Sequence, residues 1–301
     1  MRLVCLALIV AFYSCRVPIK QTPEKFAFDD GRSGTGPALA VIGDSLSSGV
    51  LASTTLGEVP DRMLFNRFSR FIFGAYHDLE HIQGEFSELA HSATATDQSW
   101  GIRAQIAKRH GLETKDIPLY FSAQWGGRLL HVDKYLKHLE TNYEARGKAA
   151  EYVVFLIGGN DYCRDIKEDI FDKQYDLKLN KILALHPQST VMVTLLPQLT
   201  DIVKYNHIYS SVNSCEKFRM RYCKPIFEAY GPQRVVHYNE SIIRAVNKYR
   251  RVFKGKIILP SQFESMILEK DDLSFDCFHL SLKGQKKVGE MYEEAFWSQI
   301  N

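Results

Sequence analysis

The chain has 301 residues, 45% of them hydrophobic and 24% charged, a composition that suits one ordinary α/β domain. Its 38 basic residues nearly balance 35 acidic ones, for a net charge of +3, so no concentrated basic surface for nucleic acid is expected. No low-complexity tract or fixed-period repeat interrupts it, which argues against solenoids and propellers.

The first fourteen residues read as a secretory signal. Met1-Arg2 gives a positive start, and Leu3 to Phe12 is an apolar run too short to span a bilayer as a helix. Tyr13-Ser14-Cys15 lacks the usual small-x-small cleavage pattern. Ser14-Cys15 resembles the end of a bacterial lipobox, although Phe12 stands where Leu is usual. On that reading Cys15 becomes an acylated N-terminus and associates the protein with the membrane or periplasm. Without acylation the protein is secreted. Residues 15–37, rich in Pro, Gly and charge, then form a flexible tether before a single folded domain at 38–301. Cys163, Cys215, Cys223 and Cys277 remain in the exported body, enough for two disulfides in three possible connectivities. Cys215 and Cys223 are close in sequence and make the first pair to expect.

Five short apolar runs read as strands: 39–42, 119–121, 152–157, 191–196 and 235–238. Several are continuous in Val, Ile and Leu, as in sheets covered on both faces. Helical patterns fall at 129–146, 171–185, 242–253 and 282–297. Alternation of the two types predicts a single-domain, doubly wound and mainly parallel five-stranded α/β sheet flanked by helices. Active sites of such sheets form beyond the carboxyl ends of the strands.

Three constellations sit at such ends. Gly43-Asp44-Ser45 follows the first apolar run and places a serine where a helix would begin. A serine hydroxyl is a poor nucleophile until a base and an oxyanion site assist it. Gly158-Gly159-Asn160-Asp161 ends a middle run, and the Asn160 amide can donate to a developing negative oxygen without carrying charge. Asp276-Cys277-Phe278-His279 precedes the last helix, where a carboxylate three residues before a histidine can fix its tautomer. Each motif alone is more often a cap or a turn.

Together, in this order, they resemble the blocks of the GDSL (SGNH) hydrolases, over roughly residues 38–300. Gly-Gly-Asn-Asp-x-Cys with Asp-Cys-Phe-His-x-Ser is most similar to the phospholipase B-like branch. The resemblance implies a flavodoxin-like sheet and a serine esterase with Ser45 as nucleophile, His279 as general base and Asp276 orienting it. The oxyanion hole it implies joins the Ser45 N–H, the Ser92 N–H and the Asn160 side chain. One block departs from the pattern. In Ala90-His91-Ser92-Ala93-Thr94-Ala95-Thr96-Asp97 the family's oxyanion glycine is replaced, by Ser92 or, one residue later, by Ala93. A backbone N–H survives the replacement, provided φ there stays negative.

The implied chemistry is acyl transfer through an acyl-enzyme, with no cofactor and no metal. The ten histidines include no HExxH pair. The expected substrate is a small-molecule or lipid ester, foremost a lysophospholipid or another fatty-acyl ester. The Phe-rich segment 62–76 is a candidate acyl or membrane contact, although its spacing also suits a buried helix face. A carbohydrate O-acetyl esterase is the alternative enzyme, and a non-catalytic surface-binding lipoprotein on a decayed hydrolase scaffold is the alternative of another class. No protein partner can be inferred.

Overall fold

A computed structural model describes residues 35–49, 52–53, 91–205, 215, 223–274 and 276–300. The expected signal, the tether before residue 35, Cys15 and the Phe-rich segment 62–76 lie outside the described residues.

Five parallel strands form one sheet: β1 (Leu39–Gly43), β2 (Leu119–Ala123), β3 (Tyr152–Leu156), β4 (Thr190–Val193) and β5 (Lys256–Ile258), in the order β2-β1-β3-β4-β5. Every residue of β1, β2 and β3 is buried, which is why these strands are continuously apolar. Helices cover both faces. On one, α1 (Ile102–His110) packs against the last helix, α6 (Leu282–Gln299). On the other, α2 (Val132–Arg146) meets α4 (Glu168–Leu185), which in turn packs along α5 (Gly231–Arg250). Between β3 and α4 lies the short helix α3 (Gly159–Cys163).

Four of the five expected strands occur. The run 235–238 does not form one: it lies inside α5. Gly231-Pro232 starts that helix, where proline's fixed φ and missing N–H cost nothing. Val235, Tyr238, Ile242, Ala245 and Val246 then bury one face at helical spacing. The fifth strand is instead the three-residue β5, paired with β4 through Val191–Ile257, and too short to stand out by pattern.

Strand order reverses about β1, whose chain continues outwards to β2 while β3, β4 and β5 build the other side. The crevice between the β1 and β3 ends is therefore the topological switch point, where doubly wound sheets bind ligands. Both the Ser45 and the Asn160 turns open there.

The cysteines pair as Cys163–Cys223 and Cys215–Cys277, not as Cys215 with Cys223. Cys215 and Cys223 are both buried, but each faces a different loop at the carboxyl end of the sheet. The bridges close loops with separations of 60 and 62 residues. In the chain-entropy account each such closure stabilises by about 4 kcal/mol.

Candidate active site

The turn after β1 is packed to the limit. A Cβ on Gly43 would lie 2.0 Å from Ser47 Oγ and 3.2 Å from the Leu156 carbonyl, so only glycine lets the chain pass here. Asp44 then folds back on itself: its Oδ1 accepts from Leu46 N–H at 2.9 Å, and its carbonyl accepts from Ser48 N–H at 3.3 Å. Ser45, the expected nucleophile, sits at the head of this turn and is 4% exposed. Its carbonyl accepts from Ser48 Oγ. The turn stays short: 45–49 is not helical.

After β3 the chain turns at Gly158, whose φ of +135° lies where L side chains rarely go. That turn presents Asn160 in the first positions of α3, with Nδ2 3.4 Å from Asp44 Oδ2. The amide carries a second N–H for another acceptor. Asp161 points the other way and accepts from Leu129 N–H at 3.1 Å, tying β3's turn to the loop after β2.

The third loop joins Leu273 and Leu280, which form an antiparallel bridge, with Ser274 N–H donating to the His279 carbonyl at 2.7 Å. Inside it the Asp276 carboxylate accepts four hydrogen bonds. Ser274 Oγ, Phe278 N–H and His279 N–H all donate to Oδ1, at 2.6, 3.0 and 2.9 Å. Oδ2 lies 2.5 Å from His279 Nδ1. This leaves Nε2, which is buried and has no hydrogen-bond partner among the described residues. Ser281 caps α6 directly afterwards, accepting from Gly284 N–H, so the helix start fixes the loop's exit.

Two buried aspartates in this site titrate in opposite directions. Burial pushes Asp44 up from 3.8 to about 7, helped by the Asp161 charge and only partly offset by the Leu46 N–H and the nearby His279 and Asn160. Burial pushes on Asp276 as well, but the His279 charge and the hydrogen bonds from His279 and Ser274 outweigh it and hold the carboxyl at about 2. Asp161 is raised to about 6, chiefly by burial.

Ser92 adopts a negative φ, so the serine fits without strain where the resemblance expects glycine. It is fully buried, and its hydroxyl donates to the Ser47 carbonyl at 2.5 Å, beside Thr94 Oγ1, which donates to the same oxygen at 2.9 Å. The neighbouring Ala93 N–H is already used: it donates to Gln285 Oε1 at 3.0 Å. Between the two candidate donors, that engagement favours Ser92.

Gln285 escaped the sequence reading. From the first turns of α6 it also donates through Nε2 to the Leu46 carbonyl at 3.1 Å, so one side chain links the serine turn, the Ser92 block and the histidine-bearing C-terminus. Trp125 was missed as well. It stands half-buried after β2, edge-on to the His279 ring at 5.6 Å between centroids. Its only sequence signal was its place before Gly126-Gly127 at the carboxyl end of a strand. Beside the cluster an apolar cavity runs between the loops after β4 and β5 and α6, with Leu46, Leu196, Pro197, Phe263, Met266 and Phe278 in its wall. Among the described residues no group of His, Cys, Asp and Glu side chains could hold a metal ion.

Fold and site define a class, the serine hydrolases that cleave ester bonds on a doubly wound parallel sheet. The chain belongs to the GDSL-like lipase/acylhydrolase family, whose model matches residues 39–291. Among solved structures it is similar to a family 3 carbohydrate esterase of Clostridium thermocellum, at 13% identity and TM-score 0.49, over 87% of this chain and 96% of that one. It is similar also to the psychrotrophic esterase EstA of a Pseudoalteromonas species, at 12% identity and TM-score 0.45, over 87% and 97%. An extracellular lipase of Streptomyces rimosus matches at 14% identity and TM-score 0.45, over 86% and 100%. No curated protein matches the chain.

Proposed function

We propose that the chain hydrolyses fatty-acyl esters, lysophospholipids foremost, with Ser45 as nucleophile, His279 as general base and Asp276 as the carboxylate that orients it. His279 Nε2 takes the Ser45 proton as the hydroxyl attacks the ester carbonyl, and Asp276 stabilises the imidazolium that results. The Ser45 and Ser92 N–H groups and the Asn160 amide hold the oxyanion. The alcohol leaves with the His279 proton, and water then cleaves the acyl-enzyme by the same route. The observation that carries this reading is His279: one ring nitrogen is bound to a buried, ionised Asp276, and the other is buried with no hydrogen-bond partner among the described residues, Ser45 included.

The cavity beside Asp44 and Gly159, about 40 Å³ and exposing mostly apolar surface, suits the first carbons of an acyl chain better than a sugar ring, and the choice of a long chain rests on the resemblance to the phospholipase B-like branch. A panel of esters from acetyl to palmitoyl tests it: kcat/KM should rise with chain length. A preference for acetyl esters of sugars would point to a carbohydrate O-acetyl esterase, and no turnover of any ester to a binding protein on a decayed scaffold. Export belongs to the same proposal. Two disulfides suit an oxidising compartment. Among the described residues no helix is long and apolar enough to cross a membrane. The anchor read from the sequence is an acylated Cys15. Cys15→Ser should then release soluble or unprocessed protein, and a mature form lacking Cys15 would refute the anchor.

A further inference from the structure

Both disulfides end within one nine-residue stretch, Cys215 to Cys223, and both begin beside groups assigned to catalysis. Cys277 lies between Asp276 and His279, and Cys163 closes the short helix that carries Asn160. Cys277 has a further peculiarity. Its φ of +68° is in the left-handed region, which among the described residues only one other non-glycine residue, Asp165, enters. A β-carbon disfavours that conformation, so something must hold it.

The turn it makes is the one that lets Asp276 Oδ1 receive the Phe278 and His279 N–H groups while Oδ2 meets His279 Nδ1. Cys277 N–H donates to the Ser274 carbonyl at 3.0 Å, which closes the turn from one side. From the other, its buried side chain is bonded to Cys215. We infer that the Cys215–Cys277 disulfide is a positioning device for the catalytic histidine: it clamps residue 277 in the left-handed conformation that seats His279 on Asp276. This rests on the reading of His279 as general base.

The second disulfide supplies a matched control. It closes a loop of nearly the same length, with separations of 60 and 62 residues, so removing either bridge relaxes the unfolded chain by nearly the same amount. A purely structural role for Cys215–Cys277 would lower stability as loss of the other bridge does, with no recovery of kcat when residue 277 becomes glycine.

The experiment compares Cys215→Ala/Cys277→Ala with Cys163→Ala/Cys223→Ala, measuring kcat and KM on a soluble short-chain ester well below each melting midpoint. The expected result is a similar fall in Tm for both. For the Cys215/Cys277 pair kcat should fall by on the order of 10²-fold, with little change in KM. A third variant, Cys215→Ala/Cys277→Gly, separates conformation from cross-linking. Glycine takes the left-handed conformation without penalty, so it should recover kcat over the alanine pair without recovering Tm. Should the alanine pair fail to fold, Cys215→Ala alone makes the same comparison with the glycine variant. Wild-type kcat in the folded alanine pair, or no rescue by glycine, would each overturn the inference. His279→Ala is measured alongside: if it retains activity, the assignment of the base has failed rather than the clamp.

Discussion

Asp44 and Asp276 are both buried and stand in one site, in the turn after β1 and in the loop from Leu273 to Leu280, yet one carboxyl is raised to about 7 and the other held at about 2. What separates them is the company each keeps. Asp276 receives three donors on one oxygen and an imidazole on the other. Asp44 has one backbone N–H at 2.9 Å and a long contact from Asn160, and it also feels the Asp161 charge. Burial alone penalises a carboxylate, and only donors aimed at the charged form reverse the sign. The contrast is one of charge: the donors around Asp276 hold it ionised, whereas Asp44, pushed up to about 7, gives up its proton only near neutral pH.

The largest expected effect comes from breaking the charged member. Asp276→Asn keeps the shape but no longer selects the tautomer that leaves His279 Nε2 free to accept. It should lower kcat by roughly 10⁴-fold, as the corresponding change does in serine protease triads. A loss under tenfold would show that the Asp276–His279 pair is structural. Asn160→Ala should cost about 10²–10³-fold in kcat, the usual worth of one oxyanion donor. An unchanged rate would place the oxyanion elsewhere.

A pH series of thermal midpoints sharpens the contrast. Asp44 is raised, so the folded state holds a proton that the unfolded chain releases above about 4. Its contribution is therefore complete below that pH and is lost as pH rises towards about 7. Asp161 adds a slope of the same sign up to about 6. Asp276 is depressed, so its contribution is present above the ordinary 3.8 and is lost as pH falls towards about 2. Asp44→Asn should flatten the decline between pH 5 and 7 and leave the acid side unchanged. An undiminished decline would mean that Asp44 is ionised in the folded protein.

The smallest effect is expected at Ser92. Replacing it by glycine keeps the backbone N–H but deletes the hydroxyl bond to the Ser47 carbonyl, which Thr94 still satisfies. Stability should fall by about 1 kcal/mol with a modest change in rate. A large gain in rate would show instead that the serine aims its N–H badly.

Much of this was legible in the chain because the informative residues are local. Gly43-Asp44-Ser45 and Asp276 to His279 complete most of their hydrogen bonds within a few residues, and Gly158 to Asp161 is a compact glycine turn, so short motifs reveal them. What stayed hidden depends on long-range packing. Val235 and Val236 favour a strand by type, but Val235 is buried in line with Tyr238 and Ile242 at helical spacing while Val236 faces outwards. The disulfides join positions about 60 apart, and Gln285 reaches residues 192 and 239 positions away. No spacing rule signals such pairs.

The central claim is that Ser45 is the nucleophile, activated by His279. The most direct measurement is covalent labelling by a fluorophosphonate, with the modified peptide identified by mass spectrometry. A single adduct on Ser45 is expected, abolished by Ser45→Ala and reduced to a small fraction of its rate by His279→Ala. An adduct on another serine, or full ester turnover by folded Ser45→Ala protein, would contradict it.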